Sequence, residues 1–169
     1  MKFIISFCLL ICLVSCGKSV DETPKVEQEN TLPSLSKQTI QKFNYTEYLL
    51  DPKVKKITNK WVKYNELEGV VMNLKQADLT YFKENHEILE ALITDLKQSL
   101  PETLNSPAIM SRLIALETKL YKLESLVNLS NATPESIMPG IQEVLVSFSN
   151  LNLQMNKKIE RDSQKIIKP

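Results

Sequence analysis

The chain has 169 residues, of which 43% are hydrophobic and 24% charged, with 21 basic and 20 acidic side chains, one histidine and three cysteines. So even a balance gives no long-range pull toward nucleic acid, and no block of basic residues interleaved with aromatics stands out. Three glycines in the whole chain leave no phosphate-cradling loop, and a single histidine leaves little for hydrolase chemistry.

The chain opens on Lys2, an apolar run from Phe3 to Leu13, and then Leu13-Val14-Ser15-Cys16. A short basic start, an apolar stretch too brief to span a bilayer and small residues before a break are the parts of a secretory signal peptide, whereas a spanning helix needs about 20 apolar residues. The order Leu-Val-Ser-Cys resembles the bacterial lipobox. That resemblance implies a leader over residues 1–15 and a mature N-terminus at Cys16 carrying lipid instead of a reactive thiol. Each buried acyl CH₂ contributes about 0.8 kcal/mol, so several chains make a durable membrane anchor. Cys8 and Cys12 leave with the leader, which removes any disulfide or thiolate metal site. Loss of Lys2 leaves 20 basic and 20 acidic side chains, a balance that offers nothing to an anionic membrane face. Gly17, Lys18 and Ser19 follow the cysteine, and the absence of Asp there favours the outer membrane in the enterobacterial sorting scheme.

Residues 16–36 are polar, with Pro24, Pro33 and four acids, and are expected to form a flexible tether. At roughly 5–6 Å × √n, a tether of about 20 residues spans about 25 Å. Residues 37–50 admit two readings, a short helix or an apolar strap laid over the bundle. Asp51-Pro52 has the form of a helix N-cap and first residue. Val54, Ile57, Trp61, Tyr64, Leu67, Val71 and Leu74 then recur at steps of 3 and 4, predicting a helix over 52–76. Asp78 is placed to cap a second, ending near residue 99 before Pro101. Ser106-Pro107 opens a third, in which Ile109, Leu113, Leu116, Leu120, Leu123 and Val127 keep a regular heptad spacing. Thr133-Pro134 opens one turn at 134–138, and Pro139 starts the last helix, with Ile141, Leu145, Phe148, Leu151, Met155 and Ile159 on its apolar stripe. The expected fold is all-α: an antiparallel bundle of four helices over 51–162, followed by a polar tail at 163–169. The competing arrangement is a three-helix coiled coil with the first two helices continuous through Ala77.

No catalytic, cofactor-binding or metal residues are assigned. His86 and Glu90 are i,i+4 neighbours that could supply two metal ligands, but they also make an ordinary exposed pair. Lys83 stands where the Glu-x-x-His of a dimetal bundle would need its acid. Met72, Met110, Met138 and Met155 read as fillers of core or interface. Three matches to the glycosylation pattern, at Asn44, Asn128 and Asn131, read as chance. The interaction candidates are Trp61 with Tyr64 and Tyr81 with Phe82, which either line a recognition groove or plug the core. Asn152 falls on the step 148, 152, 155, 159 where an apolar residue belongs, and a buried Asn can fix register or oligomeric state, whereas the stripe through Leu151 leaves it on the flank. Arg112 lies on an apolar helix, where it either pairs inside the bundle or snorkels to the surface.

Taken with Leu113 to Leu120 and Phe148 to Asn152, the lipobox, tether and helical domain resemble the small helical lipoproteins of Gram-negative bacteria, a group without an assigned activity. The resemblance implies an envelope location, with the membrane engaged through the N-terminal lipid; a bundle without an evident site on a flexible tether adds the expectation of an envelope protein as partner. The reading that follows is a non-catalytic interaction or scaffold module. The alternatives are a small-molecule or metal-binding bundle and, third, an enzyme with an unfamiliar carboxylate site.

Overall fold

The computed structural model describes residues 35–164. The leader, Cys16, the tether as far as residue 34 and residues 165–169 of the tail lie outside them. The described chain is all-helical: α1 (Lys37–Gln41), α2 (Pro52–Thr58), α3 (Val62–Lys75), α4 (His86–Gln98), α5 (Pro107–Val127) and α6 (Pro134–Ser163), with 3₁₀ turns at Thr80–Phe82 and Glu102–Leu104.

The cross-links define an up-down-up-down path for the last four helices. The start of α3 meets the end of α4 through Trp61 Nε1, which donates to Ser99 Oγ at 3.0 Å, and the Lys63–Asp95 ion pair. The start of α4 meets the end of α5 through His86 and Glu124. Lys119 and Lys122 of α5 both reach Glu143 near the start of α6. At 1.5 Å per residue, the 30 residues of α6 run about 45 Å, roughly twice the length of α3 or α4. Pieces outside the four-helix path cover the remainder: α1, an extended strap over 43–51, α2 and the second 3₁₀ turn. The sequence alternatives at 37–50 thus both occur, a five-residue helix followed by a strap.

The third predicted helix is found with its ends as read, Pro107–Val127, capped by Ser106 Oγ accepting from Ile109 N. All six of its heptad residues are buried. The predicted helix over 52–76 is instead two helices separated at 59–61. Asn65 Nδ2 donates to the carbonyl of Asn59 at the end of α2, and Trp61 turns inward as the residue before α3. The apolar period misses this break because Val54, Trp61, Tyr64 and Leu67 still all face the core.

Ala77 excludes the continuous three-helix arrangement. It lies at φ 66°, with Ala77 N bonded to Leu74 O and Asp78 N to Asn73 O, the paired bonds of a Schellman stop. Asp78 Oδ1 accepts from Thr80 N, so it holds the 3₁₀ turn, and α4 begins only at His86. Leu79 and Phe82 are nonetheless buried, delivered by that turn.

The single turn expected at 134–138 is also corrected, since α6 runs unbroken through Pro139. Proline there removes one helical hydrogen bond, to the Glu135 carbonyl. A capping box between Thr133 and Ser136 and complete burial of Ile137 and Ile141 on either side hold the first turns in line. Gly140 lets α5 approach closely: a Cβ there would stand 2.9 Å from Leu126 Cδ1.

Candidate functional site

From Gly140 to Met155, α6 buries residues on several faces, including Ser147, Ser149 and Asn152. The latter two belong to a polar seam that fastens the strap. Tyr48 N donates to Ser149 Oγ at 2.7 Å, and Ser149 Oγ donates to Thr46 O at 2.8 Å. Asn152 Nδ2 donates to Tyr48 O at 3.2 Å and Asn156 Nδ2 to Leu49 O at 2.8 Å, while Asn156 Oδ1 accepts from Asp51 N at 2.9 Å. Gln142 Nε2 adds a longer bond, 3.4 Å, to Asn44 O. An extended segment among helices has no neighbouring strand, so its main-chain groups must find other partners. Side chains of α6 supply them.

Asn152 also accepts from Tyr64 Oη at 2.7 Å. Tyr64 stacks between Trp61 and Phe148, with ring centroids at 5.5 and 5.8 Å. Burial pushes the Tyr64 phenol well above its usual range, with the Glu68 charge adding to the rise, so it remains a neutral donor. Trp61 is 2% exposed and Tyr64 and Phe82 are 0% exposed; these three pack in the core, Trp61 at the edge of a cleft beside α2. Tyr81 is half-buried, edge-on to Phe82 at 5.8 Å. Its Oη is buried without a hydrogen-bond partner among the described residues.

The remaining candidates are also placed. His86 is exposed and its Nδ1 lies 3.0 Å from both carboxylate oxygens of Glu124, so its partner is on α5 and not Glu90. Hydrogen bonding to Glu124, then that carboxylate's charge, raises the His86 pKa above 6.5 against a small opposing effect of burial; Glu90 and Glu87 add to the rise. No group of three His, Cys, Asp or Glu side chains suited to a metal ion occurs among the described residues. Arg112 is exposed on the rim of a groove of about 480 Å³ between α5 and α6. Met155 is fully buried, whereas Met72 is exposed. Asn128, one of the glycosylation matches, has its side chain engaged: Nδ2 donates to Phe82 O and Glu124 O, and Oδ1 accepts from Glu84 N. It clamps the loop in which Glu84 adopts φ 54°. No sequence signal marked that role, because its partners in the loop stand more than 40 residues away.

Two clefts flank α2. One, of about 280 Å³ beneath the strap, has Phe148 and Asn152 among its walls, with Leu49, Lys55 and Met72. The other, of about 650 Å³, is bordered by Lys56, Lys60, Trp61 and Val62. Among the described residues no helix is long and apolar enough to cross a membrane. Comparison with known protein families, curated proteins and solved structures finds no match.

Proposed function

We propose that this chain is a non-catalytic lipoprotein of the bacterial envelope, held by lipid on Cys16 and using its helical bundle as a protein-interaction or scaffold module, with the outer membrane as its favoured site. The observation that carries the reading is the order of residues 2–16: one lysine, an apolar run and Leu13-Val14-Ser15-Cys16. The bundle supports the scaffold part. Buried Ser149, Asn152 and Tyr64 are engaged in holding the strap and the core together, as a scaffold requires.

Cys16→Ala tests the anchor. Metabolic labelling with an alkyne fatty acid is expected to mark the wild-type chain and not the variant, which should accumulate as uncleaved precursor. Unchanged labelling overturns the assignment. Crosslinking in membranes is expected to return a reproducible protein partner for the wild-type chain.

A further inference from the structure

Neutral overall charge conceals an uneven distribution. Five lysines, Lys53, Lys55, Lys56, Lys60 and Lys63, fall within residues 53–63 with no acid among them. Lys63 pairs with Glu66 and Asp95. The other four are exposed, and none enters any ion pair among the described residues.

Helix electrostatics accounts for only part of this cluster. Lys55 and Lys56 lie in the last turn of α2, where a cation complements the helix dipole. Lys53 stands in the first turn, where a cation is disfavoured, and Lys60 lies beyond the helix. Meanwhile α2 buries Val54 and Thr58 on its inner side, so the lysines form an outer ridge. The two most exposed large apolar side chains among the described residues flank it: Leu49 at 76% and Val62 at 71%. Leu49 shares a cleft with Lys55 and the exposed Met72, one that Glu68 and the Glu47–Lys75 pair also line, and Val62 shares one with Lys56 and Lys60.

We propose that α2 and these apolar shoulders form a docking face for an anionic phospholipid surface. Clustered lysines with adjoining exposed apolar side chains suit a bilayer interface, where ammonium groups meet phosphates and the apolar groups enter the headgroup boundary. A nucleic acid fits less well, because Trp61 is turned inward and offers no ring for stacking on bases. In the cell the inference rests on the lipid-anchored reading, which brings the face to a membrane; the face itself needs no acylation.

The test uses the polypeptide from residue 16 onward with Cys16→Ser, which bears no lipid and retains the whole core from Ile40 to Met155. It is sedimented with vesicles of phosphatidylcholine alone, and with vesicles of phosphatidylcholine and an equal part of phosphatidylglycerol. Binding is expected only to the second, weakening as salt rises. Lys53→Gln, Lys55→Gln, Lys56→Gln and Lys60→Gln together should lower partitioning by about 100-fold or more, and Leu49→Ser with Val62→Ser by about 10-fold, both with the thermal unfolding midpoint retained. Equal binding to the two vesicles, or full binding by the lysine variant, overturns the proposal. So does unchanged binding by the serine variant that inorganic polyphosphate displaces, which would mark a site for soluble polyanions. Vesicle binding alongside failed labelling at Cys16 would remove the anchor and leave the docking face standing.

Discussion

Asn152 of α6 joins three parts of the molecule with one carboxamide, accepting from Tyr64 of α3 and donating to the strap at Tyr48. Asn152→Ala leaves the Tyr64 hydroxyl and the Tyr48 carbonyl without these partners and opens a small void, so it is expected to cost about 2–4 kcal/mol in urea unfolding. Adding Tyr64→Phe should cost less than the sum of the two single changes, because the buried hydroxyl left without its partner is then absent. Sequence marks Asn152 as a polar residue on an apolar stripe; it does not reveal partners 88 and 104 residues distant. His86 offers a different measurement. As the only histidine, it gives a single imidazole resonance, whose titration midpoint is expected above 6.5 and to fall toward it in Glu124→Gln. A folded-state pKa raised by Glu124 means that the pair's contribution is fully present below the unfolded pKa of about 6.5 and is lost as pH rises through the folded value.

Helix ends separate what local sequence encodes from what packing decides. The start of α5 is legible because Ser106 and Pro107 act locally, and its heptad because all six apolar residues are buried. At the end of α3 the left-handed position is held by Ala77, where glycine is the usual occupant and its absence hides the stop. Ala77→Gly removes the strain of an L-residue at positive φ, against the greater freedom of glycine in the unfolded chain. A gain of about 1 kcal/mol is expected, read as a higher urea midpoint with an unchanged slope. Pro139 shows the reverse. Taken locally it restarts a helix, yet the buried residues on both sides keep α6 continuous. The strap is the least legible element, since an extended segment fixed by Gln142, Ser149, Asn152 and Asn156 has no period of its own.

At the scale of the whole molecule, the all-helical class and the antiparallel order follow from apolar periods and short connections, while net charge misleads because it averages over the surface. Unpaired lysines gather around α2. The other end of the bundle, where α4 and α6 begin, carries Glu84, Glu87, Glu90 and Glu135, none of them in an ion pair among the described residues. The position of α6 has a consequence in time as well as in space. It is the last helix in chain order, and α5, α3, α2 and the strap all pack on it. A ribosome delivers the chain from its N-terminus, so the residues that complete the core, through Met155, emerge after every surface they must join. Until then, the earlier helices have no common partner to close on. Closure of the core thus waits on α6, so the order in which the helices are made sets when the bundle can be completed.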